Sequence, residues 1–174
     1  MAAVRPDVHS DHSAVARRFD QTCHVQWQLE SIAHKGRSLP NVSPLVDARF
    51  MAGLGTLVLA ASHDADRSVW PLVLDATRGG EAFEQMSGKV RRLEPNDMMM
   101  ADARGIVRAV LYGQDRRTPI SPQTRRVLYV CYVPSGIPAP LVWQQLEAIR
   151  THVLLFAPAA RMEDSAVYGP ESAR

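Results

Sequence analysis

Short apolar runs separated by turn residues fill the middle of this chain. Between residues 79 and 112 each run is only four to seven residues long. The runs cover residues 82–86, 90–93, 98–101 and 106–112. Glycine and aspartate in the intervening segments favour tight turns, and Asp102-Ala-Arg-Gly105 has the pattern of a hairpin turn. The spacing therefore predicts a meander of short antiparallel strands, with further strands at residues 70–76 and 127–133.

Helical patterns precede and follow these strands. Residues 13–35 carry apolar side chains close to helical spacing, and residues 45–54 resume the pattern. A last helix is predicted to present one apolar face, formed by Val142, Leu146, Ile149, Val153 and Phe156. Helices at both ends of a strand-rich region predict an α+β fold, a layered mixed α/β domain with a central, mostly antiparallel β region.

The predicted helix at 45–54 has clear start and stop signals. Ser43 is suited to cap its first turn, and Pro44 is suited to the first helical position. Gly53 and Gly55 are expected to end the helix.

Length and charge indicate one ordinary domain. At 174 residues the chain can bury a substantial core. We expect a single domain at residues 16–162, because residues 1–15 and 163–174 lack apolar periodicity and are predicted to be flexible. The net charge of +2, from 20 basic and 18 acidic residues, is too small to indicate nucleic-acid binding by itself. Any basic surface must be local.

Neither the cysteines nor the apolar segments indicate a metal centre or a membrane. Cys23 and Cys131 lie far apart and neither belongs to a CxxC motif, so buried, reduced thiols are expected. No window approaches the roughly 18 apolar residues of a membrane span, and the first twenty residues lack the apolar core of a signal peptide. The sequence predicts a cytoplasmic protein with no metal, no cofactor and no membrane contact.

Three short motifs each have a chemical and a structural interpretation. His63-Asp64-Ala-Asp66 could bind a metal or act as a base, but a turn or helix cap formed by Asp64 is favoured. Gly79-Gly80-Glu81 could expose amide donors to a ligand, but a bend between strands is favoured. Met98-Met99-Met100 is favoured as core packing, because successive residues of a strand alternate between its faces.

Four arginines lie in or beside the loop after residue 112. These are Arg116, Arg117, Arg125 and Arg126. Gly113 permits a sharp turn, and two prolines favour extended geometry, so the loop is predicted to be ordered. Its arginines could present planar forks to a phosphate, or they could form a solvated basic turn.

Several of these motifs occur in the order found in a known family. They are residues 39–47, 63–67, Gly80-Glu81 with Gly88, 96–102, and 113–124 with the strand that follows. Together they resemble the B3/B4 domain of the phenylalanyl-tRNA synthetase beta subunit, over about residues 37–161. The resemblance implies a layered mixed α/β domain. In the synthetase this domain hydrolyses tyrosine that is wrongly attached to the phenylalanine tRNA.

The chain departs from that family at its editing pocket. The family's histidine would align with Ala61, although His63 is two residues away. Its acidic residue would align with Arg116, or with Asp115 after a small shift. Its Thr-Asn pair would be replaced by Arg49-Phe50. An enzyme of this family with a different substrate would also need different pocket residues.

Two function classes follow from the resemblance. The first is a hydrolase that acts in trans on a mischarged tRNA, with a water oriented by His63 and Asp115 as catalytic residues. Substrate-binding residues would be Asp47, Arg49, Asp64, Gly80, Glu81, Gly113, Arg116, Arg117 and Thr118. The second is a non-catalytic module that binds tRNA or an amino-acid-like ligand in the same cleft. A complete synthetase is not expected, because no nucleotide-binding catalytic region is present.

The resemblance and the arginine loop lead to two further expectations. The six residues Asp47, His63, Asp64, Glu81, Asp115 and Arg116 are expected to converge on one cleft, because they stand at shared motifs and at the ends of elements. The protein is expected to bind tRNA weakly, mainly through the four arginines.

Overall fold

The fold combines two described helices with short, mostly antiparallel strands, which confirms the α+β class. The computed structural model describes residues 42–134 and 136–169. Its elements are α1 (Pro44–Thr56), β1 (Ala60–Asp64), a 3-10 turn (Ala65–Arg67), β2 (Val73–Ala76), β3 (Ala82–Glu84), β4 (Val90–Arg92), β5 (Met98–Asp102), β6 (Gly105–Ala109), β7 (Gly113–Gln114), β8 (Val127–Cys131) and α2 (Ala139–Phe156). The helix predicted at 13–35 and the N-terminal segment 1–15 lie outside the described residues.

The chain divides into two compact units. Among the described residues, the first comprises those up to Ala61 together with those from Tyr129 onward, and the second comprises Ser62–Leu128. The boundaries fall inside β1 and β8, which pair with each other in a two-stranded sheet. The single domain proposed for residues 16–162 stays a prediction.

Helix α1 begins where the sequence predicts but ends later. The Ser43 side chain accepts a hydrogen bond from the Val46 amide at 3.2 Å, and Pro44 takes the first helical position. The expected stop at Gly53 and Gly55 is wrong, because the helix continues to Thr56. The last turn is stabilised by burial of Thr56, and Leu57, with φ of 61°, ends the helix in the left-handed conformation.

Replacing the Ser43 cap should weaken α1. We expect Ser43→Ala to lower the free energy of unfolding by about 1 kcal/mol, because the Val46 amide loses its acceptor. Ser43→Asn keeps a side-chain acceptor and should remain close to the wild type in urea denaturation. Equal losses in both variants would contradict a capping role.

The first unit has its core between α1, β1 and α2. Ala52, Ala60 and Ile149 form one buried cluster, with Tyr129 packed against it. Burial raises the pKa of Tyr129, although the nearby Arg49 charge acts in the opposite direction. Burial also raises the pKa of the free Cys131 thiol to about 12.

The predicted apolar face of the last helix is largely present. Val142 and Ile149 are buried, and Leu146 and Val153 are partly buried. Phe156 is the exception, since it is 43% exposed at the last helical position. Among the described residues, no helix is both long and apolar enough to cross a membrane.

The second unit contains the strands predicted between residues 70 and 112. Strands β2, β5, β6 and β7 form a four-stranded antiparallel sheet in the order β2-β5-β6-β7, and β3 pairs with β4. The predicted hairpin turn is present, because Asp102 pairs with Gly105, whose φ is 126°. Phe83, Leu93 and Ala109 form the buried cluster of this unit.

Candidate functional site

A pocket of about 200 Å³ lies in the unit formed by residues 62–128. Its walls come from three segments, which are residues 82–84, 104–106 and 115–117. Backbone bonds hold the third segment against the other strands. The Asp115 amide donates to Val107 at 3.0 Å, and the Arg116 amide donates to Glu84 at 2.9 Å. Strand pairing therefore brings distant parts of the sequence to one pocket.

The pocket is lined by charges of both signs. Its basic lining residues are Arg104, Arg116 and Arg117, and its acidic lining residues are Glu84 and Asp115. Glu84 and Arg116 form an ion pair at 2.8 Å, with side-chain exposures of 45% and 66%. Such an exposed pair contributes only about 0–1 kcal/mol. A charged ligand can therefore exchange partners with it at low cost.

Arg117 is held by two buried carboxylates. Its Nη1 and Nη2 atoms donate to the two oxygens of Asp102, each at 3.1 Å, and its Nε lies 3.0 Å from Asp115 Oδ2. The hydrogen bonds to Asp102 raise the pKa of Arg117, and the charges of both carboxylates act in the same direction against burial. The guanidinium is thereby fixed at the pocket wall.

Asp102 is stabilised as a carboxylate. Burial alone would raise its pKa, but hydrogen bonds from Arg117 and from the amides of Val69 and Arg104 outweigh burial, and the pKa is lowered. The two amide bonds measure 3.0 and 2.9 Å. Asp102 can therefore hold Arg117 as a permanent ion pair near neutral pH.

A second hydrogen-bonded chain joins His63 to Asp115 through Thr118. The Thr118 hydroxyl donates to Asp115 Oδ1 at 2.6 Å, and the Thr118 amide donates to the same oxygen at 3.0 Å. His63 Nδ1 lies 2.9 Å from Thr118 Oγ1 and 3.0 Å from Gln114 Nε2. Nδ1 can donate to Thr118 when it is protonated, or accept from Gln114 when it is not. His63 and Thr118 have no exposed surface.

Asp64 has the structural role that the sequence favoured. Its Oδ1 accepts from the Asp66 amide at 3.1 Å and so caps the 3-10 turn that follows β1. Its Oδ2 accepts from the Thr124 hydroxyl at 2.7 Å. Within residues 42–134 and 136–169, no group of three or more His, Cys, Asp or Glu side chains could hold a metal ion.

The sequence that forms this pocket matches a known protein family. The family model described as the B3/4 domain matches residues 12–137. The chain belongs to the B3/4 domain family. All pocket-lining residues of this B3/4 domain fall inside the matched segment. No curated protein matches the sequence.

The B3/4 domain brings most of the predicted residues of its second unit together. Asp115, Arg116 and Arg117 line the pocket, and His63 and Thr118 lie behind Asp115 in the hydrogen-bonded chain. Asp64 joins this region through its amide, which donates to Thr118 at 2.9 Å. Gly113 begins β7, with φ of 96°.

Gly80 and Glu81 lie at a bend before β3 and do not line the pocket. The Arg78 amide donates to Glu81 Oε1 at 2.7 Å, and this bond lowers the pKa of Glu81. The bend depends on Gly79, since a side chain there would meet Pro95 at 2.7 Å and φ is 99°. The structural interpretation of the glycine pair fits this geometry.

Asp47 and Arg49 belong to α1, in the first unit of the B3/4 domain. Asp47 accepts from the Val42 amide at 3.3 Å, and Arg49 Nη1 donates to Ala60 at 3.1 Å. Their proposed convergence with the residues of the second unit stays a prediction.

The four loop arginines form ion pairs or hydrogen bonds with residues of their own unit. Arg116 pairs with Glu84, Arg117 with Asp102 and Asp115, and Arg126 with Asp66 at 3.0 Å. Arg125 Nη1 donates to two nearby backbone carbonyls at 3.1 Å. Much of the positive charge of the loop is therefore balanced by carboxylates, and the expected binding of tRNA through these arginines stays a prediction.

Sequence reasoning missed Glu84, Arg104, Gln114 and the role of Asp102. Glu84 follows the buried Phe83 on β3, and a charged residue beside a buried one on a strand looks like an ordinary solvated position. Asp102 was recognised as a turn residue and as the end of the 96–102 motif, but without a partner. No local signal in the sequence shows that Asp102 pairs with Arg117, because the contact depends on the packing of β5 and β6 beside the 115–117 segment.

Proposed function

We propose that this B3/4 domain binds the aminoacyl end of a tRNA in the pocket and hydrolyses its ester in trans. One observation carries the proposal, namely that carboxylates and guanidinium groups line the same small pocket. An aminoacyl ester carries an ammonium group on its α-carbon, and the attached RNA carries phosphates. A carboxylate such as Glu84 suits the ammonium group, whereas Arg104 and Arg116 suit anionic oxygens.

The size of the pocket fits the aminoacyl group alone. About 200 Å³ corresponds to roughly seven waters at about 30 Å³ each. This volume is smaller than the roughly 300–1,000 Å³ typical of sites for drug-sized ligands. The proposal therefore places the amino acid inside the pocket and the nucleotides outside it.

The proposed reaction needs only water as a second reactant. A water attacks the ester carbonyl carbon, the bond from that carbon to the ribose oxygen breaks, and a proton passes from the water to the ribose oxygen. The products are the free amino acid and the tRNA with its terminal hydroxyl restored. The guanidinium group of Arg117 is suited to stabilise the negative charge that develops on the carbonyl oxygen.

His63 and Asp115 have an indirect role in this proposal. Asp115 is only 2% exposed, His63 is fully buried, and both are hydrogen-bonded to Thr118. They act as positioning residues, because they fix the 115–118 segment and the guanidinium group of Arg117. This differs from the direct orientation of water that the sequence suggested.

The proposal is tested by incubating the protein with a panel of mischarged tRNAs and measuring release of the labelled amino acid. At least one ester should be hydrolysed faster than its spontaneous rate. Glu84→Gln should raise KM for that ester about tenfold or more, because the ammonium group loses an ionic partner. Glu94→Gln is the matched control, since Glu94 is an exposed glutamate outside the pocket. Decay of every ester at its spontaneous rate would exclude a hydrolase for that panel.

Binding without hydrolysis is a second candidate. It is favoured by the complete burial of His63, which lies behind the pocket wall, and by the low exposure of Asp115, which leaves little of that carboxylate open to a water in the pocket. A non-catalytic module should bind the mischarged tRNA and slow the spontaneous loss of its amino acid. The same panel separates the two functions, because a hydrolase accelerates this loss and a binding module retards it.

A further inference from the structure

Strand β4 and the residue before it carry basic side chains that no ion pair balances among the described residues. Lys89, Arg91 and Arg92 are all exposed. None of them belongs to an ion pair within that part of the chain. Glu84 lies across from Val90 on β3, but it already pairs with Arg116. Arg92 Nη1 donates to the Gly80 carbonyl at 2.9 Å, which leaves its charge uncompensated. Residues 89–92 therefore retain three positive charges, whereas three of the four loop arginines pair with carboxylates.

The outer edge of β4 is also open. Within the described residues β4 pairs only with β3. The Gln85 amide donates to Lys89, and the Leu93 amide donates to Glu81, so the backbone of Lys89 and Leu93 points towards β3. Because backbone groups alternate along a strand, the amides of Val90 and Arg92 point away from β3. Outward amides beside basic side chains form a suitable surface for phosphate oxygens.

An aromatic platform lies beside this edge. The Arg91 guanidinium sits 3.9 Å from the centre of the Tyr112 ring, and Tyr112 is partly buried in the cluster around Phe83. The contact places the guanidinium over the face of the ring. Planar guanidinium and aromatic groups stack on nucleic-acid bases, and this stacking tolerates different base sequences.

We propose that the β4 edge, defined as Lys89, Arg91 and Arg92 with Tyr112, binds a single-stranded RNA end. Lys89, Arg92 and the outward amides take the phosphates, and the Arg91 and Tyr112 stack takes a base. Arg92 lies across from Ala82, which lines the pocket, so an RNA along β4 can place its terminus beside the pocket. This inference rests on the proposed function for the identity of the RNA, and it names the surface that holds it.

The surface is tested with uncharged RNA, so that ester hydrolysis plays no part. Fluorescence anisotropy measures binding of the full chain to deacylated tRNA and to a single-stranded oligonucleotide with the same 3′ end. For three phosphate contacts, log affinity should fall against log salt with a slope of about 2. Lys89→Gln with Arg92→Gln should reduce this slope by about 1.4 and lower the affinity at low salt about tenfold or more.

Two further variants make the test specific. Arg125→Gln with Arg126→Gln removes the same charge from the loop and should change the affinity by less than about twofold. Tyr112→Leu should weaken RNA binding while leaving the salt slope unchanged, because it removes stacking and no charge. Circular dichroism checks that each variant is folded.

Several outcomes would overturn the proposal that the β4 edge binds RNA. These are an unchanged affinity in the β4 variant, an equal loss in the loop variant, or equal binding of polyglutamate or anionic lipid vesicles. The outcomes are separable from the proposed function. RNA binding that depends on the β4 edge, without deacylation, would support the β4 proposal and contradict the proposed hydrolase. Deacylation that does not depend on the β4 edge would support the hydrolase and contradict the β4 proposal.

Discussion

Replacing Arg117 by methionine should lower the free energy of unfolding by about 3 kcal/mol. Methionine fills similar space but leaves the buried carboxylates of Asp102 and Asp115 without their shared cation, and breaking a buried pair costs about 3–5 kcal/mol. We expect the lower end of this range, because the Arg117 side chain is 34% exposed and water screens part of the interaction. Urea denaturation at pH 7 measures the difference.

The neighbouring arginine provides the matched control. Arg116→Met removes an equal charge and a comparable side chain, but its pair with Glu84 is exposed. Its cost should be only about 0–1 kcal/mol. A loss of only about 0–1 kcal/mol in Arg117→Met as well would show that the contacts of Arg117 with Asp102 and Asp115 do not stabilise the fold.

The same substitution should change how stability depends on pH. The pKa of Asp102 is lowered in the folded protein from its ordinary value of 3.8. Its contribution to stability is therefore complete above that value and is lost as the pH falls through the folded pKa. In Arg117→Met, Asp102 loses the hydrogen bonds from Arg117 that lower its pKa but keeps the burial that raises it. The pKa of Asp102 should therefore be higher in the variant than in the wild type. The difference in stability between wild type and variant should therefore shrink from pH 6 towards pH 3, and a constant difference would contradict this role of Asp102.

Local signals were sufficient to predict most elements of the fold. Ser43 and Pro44 fixed the start of α1, and Asp102 and Gly105 fixed the turn between β5 and β6, because caps and turns depend on neighbouring residues. The end of α1 was missed by two residues. Glycine disfavours a helix, but burial of Thr56 against α2 stabilises the last turn, and that contact is remote in sequence.

The candidate site was only partly predictable for the same reason. The motifs at 63–66 and 113–118 contained five of its polar residues, namely His63, Asp115, Arg116, Arg117 and Thr118. Their partners Asp102 and Glu84 come from other strands, and they reach the site through strand pairing. The expectation that the four loop arginines bind tRNA stays a prediction. Ion pairing bears on it, because Arg116, Arg117 and Arg126 each contact a carboxylate that lies elsewhere in the sequence.

Thr118→Val should lower the free energy of unfolding by about 1 kcal/mol more than Thr118→Ser. Valine keeps the volume of threonine but removes the hydroxyl that bridges His63 and Asp115, and a buried polar group that loses its partner costs about 1–3 kcal/mol. Serine keeps the hydroxyl and loses one methyl group, at a cost of about 1 kcal/mol. The Thr118 amide still donates to Asp115 in both variants, so urea denaturation of the pair isolates the hydroxyl. A valine variant as stable as the serine variant would mean that the hydroxyl does not couple the histidine to the pocket wall, and the contact of His63 with Gln114 would then be the stronger candidate for that coupling.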